Sequence, residues 1–182
     1  MAWVSRFIIS LAFMSSGLWA PSAWAQSRDV IVEAVPQLED IYQVSAKDTH
    51  SGLPVPRFVS LKYNRINGRL GPSLKHPILW EYKRKGLPVI VVAEMDVWRK
   101  IRDIDGDESW VRGSALSSRP TVLTLNAVEL RTKPADTARI KAVADKNVIL
   151  EIEKCVDNEW CKVQAGDRLS GWIRREQIWG AE

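Results

Sequence analysis

Two tryptophans recur in this chain at a shift of 62 positions, Trp98 as Trp160 and Trp110 as Trp172. At the same shift Arg69 falls on Arg131, Pro72 on Pro134, Lys100 on Lys162, Ile101 on Val163 and Val111 on Ile173. Chance does not hold so many landmarks in register. A repeat of roughly 60 residues is longer than most solenoid units and matches the smallest autonomous domains. The chain is therefore read as two small domains in tandem. Its 182 residues, 46% hydrophobic and 26% charged, suffice to bury a core in each. The net charge of +4 is mild, and basic residues alternate with acidic ones. Lys83, Arg84 and Lys85 form a basic triplet that a turn explains. A nucleic-acid groove needs a broader basic surface, so no nucleic-acid partner is expected.

The N-terminus carries an address. Arg6 and the free amine precede an apolar run from Phe7 to Trp19, and Ala23-Trp24-Ala25 is a small-residue cleavage site ahead of Gln26. The run is short for a membrane span. Residues 1–25 are expected to be a signal peptide cleaved after Ala25. With no cysteine at the cleavage point for a lipid anchor, the product is expected to be soluble in the periplasm or secreted, without an integral membrane segment.

Residues 26–57 are polar and interrupted by Pro36, Pro54 and Pro56, which predicts a mostly irregular, flexible linker. From Phe58 the pattern turns to short β-branched or aromatic runs separated by Gly, Pro, Asn and Asp. Phe58–Leu61, Val89–Ala93, Trp98–Arg102 and Trp110–Val111 are the clearest in the first unit. Thr121–Leu125, Val148–Ile152, Trp160–Gln164 and Gly171–Ile173 are the clearest in the second. No segment makes an amphipathic helix. The expected fold class is all-β, two small, closed or partly closed antiparallel barrels over residues 58–118 and 121–180, joined near Arg119-Pro120-Thr121.

Cys155 and Cys161 bracket a turn at Asp157 to Glu159, which sets them opposite each other across an antiparallel pair. That spacing permits a disulfide with Cα atoms roughly 4.5 to 5.5 Å apart. Both histidines, His50 and His76, lie in the first half, so neither a metal site nor a cysteine nucleophile has a natural partner set. Asp103, Asp105 and Asp107 alternate as calcium ligands would. Glu108 and Ser114 stand where an EF-hand loop requires glycine and a bidentate glutamate, so a hairpin turn is the better reading. No metal and no cofactor are expected.

Several stretches resemble the bacterial SH3-like domain of exported proteins. In the first unit they are Gly52-Leu53-Pro54-Val55-Pro56-Arg57-Phe58-Val59-Ser60-Leu61-Lys62, Asn67-Gly68-Arg69-Leu70-Gly71-Pro72, His76-Pro77-Ile78 and Gly86-Leu87-Pro88-Val89. Glu94 to Arg102, Asp105-Gly106 and Trp110-Val111 continue them. In the second unit Trp160-Cys161-Lys162-Val163, Gly171-Trp172-Ile173 and Ile178-Trp179-Gly180 look like the same family's last strands. The resemblance implies two tandem SH3-like barrels. It also implies binding of cell-wall peptides or other proteins. The family usually has an apolar residue where Gly68 stands and a glycine where Ser109 stands, so the first barrel is expected to pack differently there.

Trp98 and Ile101 are three residues apart, as are Trp160 and Val163, so each pair points to opposite faces of its strand. If Ile101 and Val163 fill the cores, the tryptophans lie outside. There they either line a groove for an extended peptide or pack between barrels or under a loop. The candidate ligand-binding set is Trp98, Trp110, Arg69, Tyr82, Trp160, Trp172 and Arg131. The two arginines either pair with an acidic residue of their own barrel or face a ligand carboxylate. The leading functional expectation is a non-catalytic exported module that binds cell-wall peptide or an envelope protein. The alternative is an assembly partner with its tryptophans in a protein interface. A wall hydrolase would need a nucleophile, base and orienter in mutual reach, and no catalytic residue is assigned.

Overall fold

Where apolar and polar residues alternate, the chain lies in strands. The computed structural model describes residues 42–166 and 168–181. The expected signal peptide and residues 26–41 of the expected linker fall outside the described residues. The first sheet holds β1 (Arg57–Leu61), β2 (Ile66–Arg69), β3 (Ile78–Tyr82), β4 (Pro88–Met95), β5 (Trp98–Arg102), β6 (Glu108–Arg112) and β7 (Leu116–Ser117). The second holds β8 (Thr121–Thr124), β9 (Val128–Arg131), β10 (Ile140–Ala144), β11 (Ile149–Val156), β12 (Trp160–Ala165), β13 (Leu169–Arg174) and β14 (Ile178–Trp179). Strand order is β3-β2-β6-β5-β4-β1-β7 in one and β10-β9-β13-β12-β11-β8-β14 in the other, the same order twice. The fold is all-β and every ladder is antiparallel. Among the described residues the outermost strands of each sheet do not pair with each other, so each barrel stays open along one side.

Seven strands replace the roughly five expected in each unit. β3 and β10 escaped the pattern because they lie at the sheet edges and alternate poorly, while β2 and β9 alternate but span only four residues each. Ile78 and Leu79 are both exposed in β3, as are Ile140 and Val143 in β10. Each sheet wraps its own core, centred on Val89, Val91, Ile101 and Val111 in the first and on Val122, Leu150, Val163 and Ile173 in the second. A seam joins the two barrels. Phe58 sits beside Ile90 in the β1–β4 ladder and Trp179 beside Leu123 in the β14–β8 ladder. The Phe58 and Trp179 rings meet edge to face at 5.1 Å. Ile90 and Leu123 are buried but belong to neither barrel core, so the seam is a small third core. Full burial of one such side chain contributes about 1.5–3 kcal/mol. Gly180, at φ +108, lets the chain close on Pro88, because a Cβ there would stand 2.7 Å from the Thr121 carbonyl and 2.9 Å from Pro88 Cβ. Thr121 Oγ1 donates to the Gly86 carbonyl at 2.7 Å and Arg84 Nη2 to that of Asn147 at 2.6 Å, both across the seam.

The different packing expected at Gly68 and Ser109 is present, and the two residues are coupled. A Cβ on Gly68 would lie 2.5 Å from Ser109 Oγ and 3.1 Å from Trp80 Nε1. In the second barrel the same places hold Leu130 and Gly171, and a Cβ on Gly171 would lie 2.7 Å from Leu130 Cβ. Each barrel thus has one large and one small partner there, in opposite order. The volume Gly68 gives up is taken by Tyr82, whose hydroxyl meets Ser109 Oγ at 3.1 Å, and by Trp80. The second barrel has Ala144 and Ala142 in their place. Burial raises the Tyr82 hydroxyl above its ordinary pKa, with the Ser109 hydrogen bond opposing.

The two barrels also fasten the same ladder rung differently. In the β4–β5 hairpin the rung next to the turn pair Met95–Trp98 is Glu94–Arg99. In the β11–β12 hairpin the rung next to Val156–Trp160 is Cys155–Cys161. The cysteines form a disulfide with Cα atoms 4.0 Å apart, closer than expected. Left-handed backbone at Asp157 and Asn158 makes the tight three-residue turn between them. Glu94, its side chain 2% exposed, takes Arg57 Nη2 at 2.7 Å and Arg99 Nε at 3.1 Å on one carboxylate oxygen. The Ser51 hydroxyl donates to that oxygen at 2.7 Å, and the Ser51 N–H donates to the other at 2.9 Å. The same carboxylate therefore holds residues 51–57 onto the barrel. Val44 and Val55 bridge, and Val55 enters the first core, so this part of the expected linker is ordered. Burial raises the Glu94 pKa, but the hydrogen bonds from Ser51 and Arg57 outweigh it and leave the carboxyl below its ordinary value.

Two predictions follow from these contrasts. Gly68→Leu alone is expected to destabilise the protein by about 1–3 kcal/mol in urea denaturation. Adding Trp80→Ala, Tyr82→Ala and Ser109→Gly, which copies the second barrel, is expected to recover most of that loss; no recovery would refute the volume exchange. Because the folded pKa of Glu94 is depressed, its stabilisation is complete above the unfolded value of about 4.3 and is lost as pH falls through the folded value. The stability gap between wild type and Glu94→Gln is therefore expected to be wide at pH 7 and to narrow below about pH 4.3. A gap independent of pH would count against the buried triad.

Candidate functional site

The register of each central hairpin decides which side chains share a face. Trp98 pairs with Arg112 and Lys100 with Trp110, while Arg69 lies opposite Trp110 in the adjoining ladder. Paired residues, and residues two apart along a strand, point to the same side. Trp98, Arg112, Lys100, Trp110 and Arg69 consequently lie on one face, away from Ile101 and Val111 in the core. The second barrel repeats the face with Trp160, Arg174, Lys162, Trp172 and Arg131. Tyr82 is not part of it. It is buried among core residues and bonded to Ser109.

Trp98 and Trp160 are indeed off the cores, yet they are only 7% and 6% exposed. Opposite-face geometry alone did not anticipate this, because the cover comes from other strands. The guanidinium of Arg112 lies 5.4 Å from the Trp98 ring centre and that of Arg174 4.4 Å from the Trp160 ring centre. These are cation–π contacts at matching places. Trp110 and Trp172 are half-buried, the latter with Lys154 Nζ 5.9 Å from its ring centre.

Arg69 and Arg131 have the same job in each copy. Arg69 Nη1 donates to the carbonyls of Leu74, at 3.3 Å, and His76, at 2.8 Å. Arg131 Nη1 donates to those of Asp136, at 2.5 Å, and Ala138, at 2.8 Å, and the side chain also pairs with Glu129. Each arginine staples the loop that follows its strand, bringing residue 74 or 136 beside the Trp–Arg pair. The expected acidic partner within the barrel is present for Arg131, as Glu129, but not for Arg69 among the described residues, and the loop carbonyls carry no residue-type signal in sequence.

In the first barrel the loop, the Trp98–Arg112 pair and the 3₁₀ turn Gly113–Ala115 frame a depression of about 220 Å³, lined by Tyr63, Ile66, Asn67, Leu74, Trp98 and Arg112. Its floor is indole and aliphatic, and its rim is cationic. Lys100 is held by Glu108, which also takes Arg102 Nη2 at 2.7 Å. Burial raises the Glu108 pKa, while these two cations more than offset it and keep the carboxyl below its ordinary value. Two larger clefts run along the seam, where Arg119 Nη1 and Glu151 pair at 2.9 Å. They lack the repeated aromatic–cation pattern. The Asp-rich turn is organised by Asp103, whose carboxylate accepts the N–H groups of Asp105, at 3.1 Å, and Asp107, at 3.0 Å.

The family model for the bacterial SH3 domain matches residues 62–118 and again residues 126–180, one match per barrel and together more than half the chain. The chain belongs to the bacterial SH3 domain family. A comparison with solved structures finds a likeness to NlpC2 from Trichomonas vaginalis, at 11% identity and a TM-score of 0.32, over 69% of this chain and 48% of that one. The same comparison finds a likeness to NlpC1 from the same organism, at 12% identity and a TM-score of 0.32, over 68% of this chain and 45% of that one. The chain spans less than half the length of either protein. No curated protein matches it.

If Arg69 is a loop staple, Arg69→Ala is expected to speed amide hydrogen exchange across residues 70–77 while leaving the β4–β6 core protected. The same change at Arg131 is expected to act on residues 132–139. Unchanged exchange in those loops would refute the assignment.

Proposed function

We propose that this chain is a non-catalytic envelope module that recognises peptidoglycan stem peptide through the depression beside Trp98. Bacterial SH3 domains are often cell-wall binding modules, and both barrels belong to that family. The observation that carries the reading is the depression of the first barrel with its aromatic floor and cationic rim, built on a Trp98–Arg112 contact whose counterpart Trp160–Arg174 stands at the same ladder position. Such a surface suits a short, extended peptide bearing carboxylates, because the indole supplies area at small entropic cost and the guanidinium supplies orientation. The expected signal peptide supports a periplasmic or secreted location, where wall peptide is present. None of the described helices is long and apolar enough to cross a membrane.

Assembly with an envelope protein is the second reading. β3 lies at an edge of its sheet and exposes Ile78 and Leu79, near Leu70 in sequence and also exposed, a surface to which an extended partner strand can add. Sedimentation with purified sacculi separates the two. Wild-type protein is expected to pellet with sacculi without releasing soluble fragments. Absence from the pellet, together with a specific crosslinked envelope partner, would favour the assembly reading, and release of fragments would overturn the non-catalytic assignment.

A further inference from the structure

The two Trp–Arg pairs have opposite electrostatic surroundings. Arg174 of the second barrel is bound by two carboxylates of its own chain, Asp136 through Nη2 and Glu159 through Nη1 at 3.1 Å. Its hydrogen bond holds the Asp136 carboxyl below its ordinary range. The first barrel has Leu74 and Val97 at those two places. Backbone hydrogen bonds establish both equivalences. Arg69 holds the Leu74 carbonyl as Arg131 holds that of Asp136, and the Gly113 N–H meets the Val97 carbonyl as the Arg175 N–H meets that of Glu159, at 2.8 Å each. Leu74 is 63% exposed and Val97 49% exposed. Among the described residues Arg112 has no ion-pair partner; its guanidinium lies over the Trp98 ring and faces solvent.

We propose that Arg112 binds the terminal carboxylate of a peptidoglycan stem peptide, and that Asp136 and Glu159 fill the corresponding position in the second barrel and close it. The second barrel shows the chemistry directly, since this chain's own carboxylates sit where the first barrel leaves a guanidinium open. A bidentate guanidinium–carboxylate pair is among the stronger polar contacts, and stacking on an indole pre-orients the guanidinium. The apolar flank of Leu74 and Val97 selects a carboxylate carried beside a small apolar side chain, which the terminal alanine of a stem peptide provides. Leu74 and Val97 thereby act as specificity residues. This inference rests on the wall-binding reading and narrows it to one barrel and one end of the peptide.

The test uses the full chain and a stem tetrapeptide ending in D-alanine, as free acid and as C-terminal amide. Binding is followed by the indole N–H resonances of Trp98 and Trp160. The free acid is expected to move the Trp98 signal and leave that of Trp160 in place. Amidation, Arg112→Gln, or Leu74→Asp, which recreates the closed state in an exposed loop, is each expected to weaken binding by about tenfold or more. The double variant Asp136→Leu/Glu159→Val is expected to make the Trp160 signal respond as well. Equal binding of acid and amide, or unimpaired binding by a folded Leu74→Asp variant, would overturn the proposal. If sacculi retain wild type, Arg112→Gln and Leu74→Asp alike, the inference falls and the wall-binding reading stands. If wild type binds neither sacculi nor tetrapeptide, both fall.

Discussion

A slip of one residue between β4 and β5 would turn Ile101 out of the core and Trp98 into it, and the same holds for Val163 and Trp160 between β11 and β12. Strand pairing has a period of two, so such a slip inverts every position of a hairpin. The hairpin register is therefore the constraint on which each barrel's surface depends, and both barrels lock it at the rung beside the turn. One uses a buried carboxylate between two guanidinium groups, the other a covalent bond. The two devices differ in what else they hold. Glu94 also anchors Ser51 and Arg57, and so ties the segment before β1 to the sheet. The disulfide fastens only its own hairpin, closing a short loop worth about 2 kcal/mol in chain entropy. Arg57 Nε remains buried without a hydrogen-bond partner, a cost the charged triad accepts.

Once the register is set, the outer face follows from it. Trp98 and Arg112 become neighbours because β5 and β6 pair there, and Arg69 reaches the loop carbonyls because β2 lies against β6. None of these contacts is local in sequence. The loop after β2 is held through its backbone, by the arginine on its carbonyls and by the Leu70 N–H on the Pro77 carbonyl, so the side chain at residue 74 or 136 can change while the backbone stays in place. A scaffold of this kind permits the two copies to diverge at the site without disturbing the fold.

The repeat at 62 residues, the all-β class and the outward turn of the tryptophans from the core were legible in the chain because each rests on periodicity or on a rare residue kept in register. Packing of those tryptophans was one of two readings the sequence left open, and the choice turns on contacts such as Arg112 and Arg174 on a neighbouring strand, which are not local in sequence. Tyr82 reads in sequence as one of the ligand-binding aromatics, whereas it fills the volume that Gly68 vacates, a pairing between strands that no local pattern reveals. The contrast at residues 74 and 136, and at 97 and 159, was available by reading the repeat for its differences. A shift that keeps arginine at 112 and 174 but replaces two aliphatic residues with two carboxylates is a signal in the sequence itself.

The seam decides what duplication can contribute. Phe58, Ile90, Leu123 and Trp179 pack the barrels together, and Gly180 lets the end of the second meet Pro88 of the first. Two open sites on a chain gain affinity from linkage only when one ligand reaches both. With Arg174 paired to Asp136 and Glu159, the second barrel does not present an open guanidinium at the position that matches Arg112. What it does contribute is burial. The seam covers Ile90 and Leu123, apolar surface that a single barrel of this size would leave to water, and small domains are marginal for want of such burial. On this argument the second copy persists as a brace for the first.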